Sequence, residues 1–470
     1  MHKSIFREYD IRGIIGKDFD LTHVYNLAQA ICSFLIEKHP HEKTFIIGYD
    51  ARSHSQPIVQ ALVQAACAYG LHVINIGLAP SPLVYFTRHL ENTPLACVVT
   101  ASHNPKEYNG IKIWGVFGQQ IHAIQERFFN QQFLPHAATP GTYQERDMTS
   151  TYVQFMVDHF PHLYGKIINS VIDCGNGAAG PIVTSLIKAM NWKNVHVLYA
   201  EPDGTFPHHE ADPTVPKNML DVLHTLQANP SLTLGIGFDG DADRMNPMTK
   251  QGELVAGDKL LALYARKMLA TNPGAAVVFD IKSSSSLIEL LTSWGAQPCI
   301  SPSGHSLIKQ EMITKNAKLA GELSCHFFFN DRYFGYDDGI YAALRLLELV
   351  DESHQDLDEL LTIIPHKEIS PEIRIMCEND EQKKNVVQEV AKIFAAKKDV
   401  SLITIDGIRA TTPYGWGLLR ASNTQPVICL RFESTNKEGF QRIQDDFYQV
   451  LTSHFDKKTL HEYFALSLQK

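Results

Sequence analysis

Short apolar runs alternate with longer stretches of helical periodicity along most of the chain, and three segments repeat one arrangement of the two. The first has a strand at residues 45–50, a serine-containing turn, a helical pattern over 58–69 and a strand at 72–76. The second has a strand at 170–173, a loop at 174–180, a helix near 182–190 and a strand at 195–199. The third has a strand at 275–280, a loop at 281–285, a helix ending at Trp294 and a strand near 297–300. Each first strand ends on an aspartate: Asp50, Asp173 and Asp280. Strand, polar turn, helix and strand is the βαβ pattern. Three copies about one domain apart predict three related α/β domains, although unrelated α/β units read much the same at this level.

The last hundred residues differ. Strands at 373–377 and 401–405 flank a helical pattern over 380–398; strands at 418–420 and 427–432 precede a helix over 437–455. That is an α+β pattern and predicts a smaller fourth domain. Boundaries at the Pro- and His-containing stretch 134–141, near Lys250, and at 364–371 give domains of residues 1–141, 142–249, 250–366 and 367–470.

Composition narrows the partners. A formal net charge of -9 argues against nucleic acid or an anionic membrane as the main partner, since both need a broad basic surface. No apolar run approaches a membrane span, and the first residues, MHKSIFREYDIRG, turn charged too early for a secretory signal. The 8 cysteines include no CxxC pair and sit in apolar contexts, which predicts reduced thiols and a cytoplasmic protein.

Two loops carry the plainest chemistry. Residues 100–112 read TASHNPKEYNGIK and follow the apolar run 95–99, which reads as a buried strand. Open α/β sheets place ligands at the carboxyl ends of strands. Pro105 and the pair Asn109–Gly110 set turns that bring Ser102 and Lys112 near one another. Ser102 is a candidate nucleophile or phosphoryl carrier, with Lys112 offsetting charge; a serine that merely bonds to nearby backbone carries the same signature. The second loop, FDGDADR at 238–244, alternates Asp239, Asp241 and Asp243, whose carboxylates converge on one side of extended backbone. They repel one another unless a cation compensates, and hard oxygen ligands with room for a phosphate oxygen suit Mg²⁺. An EF-hand also begins D-x-D-x-D, but Arg244 and Lys250 occupy its glycine and final glutamate positions.

Further clusters gather cations and polar groups. Tyr9, Asp10 and Arg12 lie in FREYDIRG, Lys282 follows the third repeat's first strand, and His305 sits in SGHSLIK. In RASNTQ, Arg420, Ser422, Asn423 and Thr424 suit a phosphate grip, or equally a polar hairpin turn. GELSCH offers Glu322, Ser324 and His326; the glutamate either pairs with a cation or accepts bonds from sugar hydroxyls. Together these features point to phosphoryl transfer, with an acceptor serine, a carboxylate-bound Mg²⁺ and a separate phosphate clamp.

In the order FREYDIRG, TASHNP, DGDADR, GELSCH and GWGLLRASNTQPVICLRFE, the chain closely resembles the bacterial phosphomannomutase/phosphoglucomutase group of the α-D-phosphohexomutase superfamily, over essentially its whole length. The resemblance implies three α/β domains and a smaller α+β domain in a heart-shaped architecture. It implies that Ser102 carries a phosphoryl group and that Asp239, Asp241 and Asp243 bind Mg²⁺ together with a phosphoserine oxygen. Lys112 and His103 would assist proton transfer, with Arg244 beside them. Tyr9, Arg12, Lys282 and His305 would line the substrate cleft. Glu322, Ser324 and His326 would read the sugar, and Arg420, Ser422, Asn423 and Thr424 would bind its phosphate. The implied activity is reversible interconversion of the 1- and 6-phosphates of mannose and glucose through a hexose 1,6-bisphosphate, which also serves as activator. A monomer is expected, a dimer being the alternative. Phosphoglucosamine mutase is the nearest rival and a non-catalytic sugar-phosphate sensor the more distant one. Cys325 departs from the glycine common in relatives, Leu323 from methionine and Ala101 from glycine.

Overall fold

A computed structural model of the chain describes residues 1–422 and 427–466. It divides into two compact units, Met1–Thr271 with Lys318–Leu361, and Asn272–Ala317 with Thr362–Lys470. Residues 250–366 contribute to both units.

The first unit opens on β1 (Ile11–Ile14) and α1 (Val24–Lys38). It continues through β2 (Thr44–Tyr49), α2 (Ser55–Ala68), β3 (His72–Leu78), α3 (Ser81–Leu90), β4 (Ala96–Val99) and β5 (Tyr108–Ile113). After α4 (Gln119–Phe129), the short β6 (Tyr143–Glu145) closes one edge of a sheet ordered β1-β5-β4-β2-β3-β6. β2 is parallel to β3 and β4, whereas β5 runs antiparallel to β4 and β1. Every residue of β4 is buried, so its sequence is an unbroken apolar run without alternation. Leu27 and Ile31 of α1 and Ile58 and Leu62 of α2 pack with Phe45, Ile47, Cys97 and Val99 of the sheet into one core. Helical spacing supplies one wall of that core and strand alternation the other.

Beyond α5 (Thr149–His159) the same order returns. β7 (Ile167–Asp173), α6 (Ala179–Ala189), β8 (Lys193–Leu198), α7 (Leu220–Ala228), β9 (Leu234–Phe238) and β10 (Met245–Thr249) build a sheet ordered β10-β9-β7-β8. β7 is parallel to β8 and β9, and β10 is antiparallel to β9. α8 (Gly257–Thr271) ends this stretch. The third series is β11 (Ala276–Asp280), α9 (Ser285–Ser293), β12 (Gln297–Ser301), α10 (His305–Thr314), β13 (Leu319–Gly321) and β14 (Phe327–Phe329). Its first four elements lie in the second unit; the antiparallel pair β13–β14 lies in the first, with α11 (Gly339–Ser353) and α12 (Leu357–Leu361). The repeat is therefore longer than the βαβ core legible in the sequence. Each copy ends in a buried strand, a polar loop and an antiparallel return strand, and the loops are those containing Ser102, Asp239 and Glu322.

The rest of the second unit is β15 (Glu368–Ile369), β16 (Ile373–Met376), α13 (Asp380–Ala395), β17 (Ser401–Ile403), β18 (Ile408–Thr412), β19 (Gly415–Ala421), β20 (Val427–Ser434), α14 (Lys437–Leu451) and α15 (Lys457–Leu466). β15 and β16 both pair with β20, which is followed by β19, β18 and β17, all antiparallel. Val386, Val390 and Phe394 of α13 and Ile443 and Phe447 of α14 cover Ile428, Leu430 and Phe432. β18, IRATT, lacks the apolar run that marks a strand in sequence; it forms through pairing with both neighbours.

Candidate active site

β2 and β4 are parallel neighbours, so the loops at their carboxyl ends meet at the same edge of the sheet. Ser102 lies in the loop after β4, buried, in the left-handed region at φ 50°. A left-handed residue other than glycine is a strained position of the kind that collects at functional sites. Its N–H donates to Thr100 Oγ1 at 2.8 Å, and Thr100 Oγ1 donates to Asp50 at 2.7 Å. Ser102 Oγ donates to Asp239 Oδ2 at 2.6 Å, lies 3.1 Å from His103 Nδ1, and lies 3.5 Å from Arg244 Nη2. Burial, with Arg244 and Arg12 nearby, pushes the His103 pKa well below the usual imidazole range, so this ring is neutral. Arg12 Nη1 donates to the Ala101 carbonyl at 3.2 Å and to Asn104 Oδ1 at 2.9 Å, and its other nitrogen pairs with Asp10. Tyr9 is half-buried in the bend before β1.

The aspartate loop occupies the equivalent place after β9. Asp239, Asp241 and Asp243 are all buried, and one oxygen from each lies within 4.8 Å of the others. The repulsion expected of such a cluster is met by two side chains. Lys112 Nζ, reaching from β5, donates to Asp241 Oδ2 at 2.6 Å and Asp243 Oδ2 at 2.5 Å. Arg244 donates from N and Nε to Asp239, each at 3.1 Å. Burial would by itself raise the Asp241 carboxyl, but Lys112 and the hydroxyl of Ser81 hold it below the carboxylate range. Lys112 answers in kind: burial opposes its charge, yet Asp241 and Asp243 hold its pKa well above the usual lysine value. Asp239 goes the other way, raised by burial and by its two acidic neighbours against the pull of Arg244. Ala242 adopts φ 55° at the turn, and its carbonyl accepts from Gly339 N at the start of α11.

GELSCH closes on this loop through a bridge between Arg244 and His326. His326 Nδ1 lies 3.7 Å from Asp243 and 3.3 Å from Asp337. Burial works against its charge, but Asp243 and Asp337 raise its pKa. Glu322 is buried, with N to His326 O at 3.0 Å, and its carbonyl accepts from Cys325 N at 3.0 Å; Ser324 at the tip is half-buried. Cys325 takes φ 66°, which is why glycine suits this position.

Comparison with known proteins decides the family. Four domain models match in order: phosphoglucomutase/phosphomannomutase α/β/α domain I over residues 3–133, domain II over 150–252, domain III over 256–367 and the C-terminal domain over 371–450. The chain belongs to the phosphoglucomutase/phosphomannomutase family. It is 37% identical over 452 residues, 95% of each chain, to the phosphomannomutase/phosphoglucomutase of Pseudomonas aeruginosa PAO1. It is 35% identical over 459 residues to the phosphoglucomutase of Neisseria gonorrhoeae, covering 96% of this chain and 97% of that one. The crystal structure of a phosphoglucomutase/phosphomannomutase family protein from Burkholderia thailandensis matches with TM-score 0.87 at 34% identity, over 97% of this chain and 98% of that one. The protein is thus a phosphohexomutase, an enzyme of the isomerase class. No helix among the described residues is long and apolar enough to cross a membrane.

The second unit of this phosphohexomutase holds the other expected residues. Lys282 Nζ lies 3.4 Å from Asp280, and His305 opens α10. Arg420 Nε donates to Asp406 Oδ2 at 3.0 Å, and Ser303 N donates to the same oxygen at 3.1 Å. Ser422 is buried, its carbonyl accepting from Lys383 Nζ at 2.8 Å. Asn423 and Thr424 lie outside the described residues. Sequence reading missed Asp406, Lys383 and, in the first unit, Arg52 and Ser81; the one signal was Arg52's place two residues after Asp50, which follows β2.

The aspartates fit a divalent cation. Asp241 Oδ1 and Asp243 Oδ1 are buried and accept no hydrogen bond among the described residues, leaving hard oxygen donors on a cluster whose other oxygens are engaged.

Proposed function

We propose that this enzyme interconverts the 1- and 6-phosphates of mannose and glucose through a phosphorylated Ser102. The observation that carries the reading is the meeting of Ser102 Oγ, the three aspartates, Lys112 and Arg244 in one buried place. Asp239, Asp241 and Asp243 would hold Mg²⁺, which when bound offsets negative charge on the transferring phosphoryl group. In the first transfer the bond from phosphorus to Ser102 Oγ breaks as a bond to the free sugar hydroxyl forms, and the proton that hydroxyl loses ends on Ser102 Oγ. The product is a hexose 1,6-bisphosphate, which turns over and returns its other phosphoryl group to Ser102. The same bisphosphate restores any enzyme that has lost its phosphate, and so acts as activator.

Lys112 is held as an ammonium ion by two carboxylates. It offsets charge at the reacting hydroxyl and, with His103, assists proton transfer there. Neutral His103, within reach of Oγ, is the group placed to move a proton at the serine. Arg12 keeps a buried Nε with no acceptor among the described residues, which suits it to a bound oxygen. Tyr9, Lys282 and His305 contribute to the substrate cleft, Glu322, Ser324 and His326 read sugar hydroxyls, and Arg420 with residues 422–424 grips the non-reacting phosphate. Glucose and mannose differ only at C2, and an intermediate that must fit in two directions disfavours tight packing around any one ring carbon. Both sugars are therefore turned over and glucosamine phosphate poorly. The absence of a disulfide among the described residues suits a reducing, cytoplasmic setting, and the monomer is the acting species. Intact-mass analysis with peptide mapping should find one phosphate on Ser102, and kcat/KM for the three 1-phosphates should rank glucosamine last. Glucosamine phosphate ranking first would transfer the assignment to the glucosamine rival.

A further inference from the structure

The Arg52 side chain is almost fully buried, at 2% exposure, beneath the serine loop. A guanidinium has five N–H donors, and here each has an acceptor. Nε donates to Asp50 Oδ2 at 3.1 Å. Nη1 donates to the carbonyls of Pro105 at 2.7 Å and Tyr108 at 3.0 Å, and Nη2 to those of Ser102 at 2.7 Å and Asn104 at 2.5 Å. Four of the five bonds thus end on backbone of the loop that carries the reacting serine. With no donor left over, Arg52 is not built to contact substrate.

The surroundings hold the arginine itself in place. Asp50 accepts from Arg52 N and Ser55 Oγ at 3.1 Å each, besides Thr100 Oγ1. The ring of Phe206 lies 5.1 Å from the guanidinium carbon. At Gly204 a Cβ would meet Ala51 O at 2.4 Å and Arg52 Cα at 2.6 Å, so only glycine lets that segment lie against the arginine's backbone. On the other side, the Ser102 carbonyl that Arg52 engages is also pressed on Gly240, where a Cβ would lie 2.6 Å from it. The peptide following Ser102 is therefore fixed from two directions and the Ala101 carbonyl before it by Arg12, which together hold Ser102 at the strained φ of 50° from which Oγ projects.

We propose that Arg52 is the positioning residue of the phosphoryl-transfer serine, holding Ser102 by saturating the carbonyls of its loop. This rests on the mutase reading of Ser102. Lysine keeps the charge but supplies a single point of donation in place of a planar fork, so Arg52→Lys separates geometry from charge. A misplacement of about 1 Å costs roughly 100-fold in rate, so Arg52→Lys should lose on that order in kcat with KM nearly unchanged. Millimolar guanidinium should partly restore Arg52→Ala, whereas sodium should not. The ³¹P resonance of the phosphoserine should shift or broaden in Arg52→Lys, and amides of residues 101–109 should exchange faster. Wild-type kcat and an unmoved ³¹P resonance in Arg52→Lys would overturn the proposal. So would a loss of activity matched by the loss of folded protein, which marks a purely structural role. If the wild-type enzyme turns over no hexose phosphate, the mutase reading fails; unchanged amide exchange in Arg52→Lys alongside an active wild type fails only the role of Arg52.

Discussion

The loops after β4 and β9 occupy equivalent places in two copies of one repeat, yet they are held differently. The serine loop is tied through its backbone: Arg52 and Arg12, both from outside it, take its carbonyls. The aspartate loop also has backbone ties, its Gly240, Asp241 and Ala242 carbonyls accepting from Ala178, Ser81 and Gly339 N, but its carboxylates are tied as well, by its own Arg244 and by Lys112 from the neighbouring sheet. In the proposed reaction Ser102 alternates between a neutral hydroxyl and a phosphate dianion, so a frame that depended on its charge would loosen once per cycle. A frame of carbonyls and arginines is indifferent to that change. The aspartate loop carries no group that comes and goes in that reaction, and a frame made of charges serves it.

That contrast breaks most visibly at Ser102. Ser102→Ala removes the phosphoryl carrier and leaves the frame, so activity should fall by on the order of 10⁴-fold or more with no change in Tm. Near-normal turnover in a bisphosphate-supplemented assay would reject the mechanism. At Asp241 the two effects should appear together. Asp241→Asn should cut kcat by on the order of 100-fold, and weaken the Mg²⁺ dependence. It should also lower Tm, because Lys112 and Ser81 lose a charged acceptor. A variant with reduced turnover and undiminished Tm would show that the carboxylates are not the frame.

A smaller effect lies beneath the aspartate loop, at the start of α11. Asp338 caps that helix through Tyr341 N and accepts from the hydroxyls of Tyr152 and Tyr333. Burial outweighs these bonds and pushes its carboxyl up to about 6. A carboxyl raised on folding binds a proton that the unfolded chain releases, so its contribution favours folding below about pH 4 and is lost as pH rises through about 6. The difference in stability between wild type and Asp338→Asn should therefore change by roughly 3 kcal/mol across that window, as read by denaturant melts. A pH-independent difference would show the carboxyl ionised throughout.

The smallest effect belongs to the third equivalent loop. In Cys325→Gly, relief of a left-handed residue, roughly 1 kcal/mol, is offset by glycine's greater freedom when unfolded, roughly 0.5–1 kcal/mol. Activity within about twofold of wild type is expected, since the Glu322 and His326 backbone bonds survive; a large loss would show that the thiol itself shapes the sugar loop.

How much of this was legible follows the same division. Ser102 and Asp239, Asp241 and Asp243 stand in contiguous motifs, and motifs are what a sequence displays. The repeated strands were legible because their burial demands apolar runs, as in Ala96–Val99. Arg52 was not, because its partners are carbonyls up to 56 residues away, and carbonyls are common to every residue type. Lys112 was expected near Ser102, but its pairing with Asp241 and Asp243 bridges 129 and 131 residues and has no local mark. β18 went unseen for a third reason: it is held by neighbours on both sides and needs no apolar pattern of its own.

The division of residues 250–366 between units bears on how the chain is made. A ribosome releases the amino terminus first, and domains ordinarily fold as they emerge. Here the segment Lys318–Leu361 completes the unit that begins at Met1, while Asn272–Ala317 belongs to a unit whose remaining residues begin at Thr362. Serine, aspartates and lysine are all synthesised before the first unit can close. Neither unit can be released by a single proteolytic cut, and truncation at Thr271 should yield a fragment lacking the strands and helix on which the aspartate loop leans.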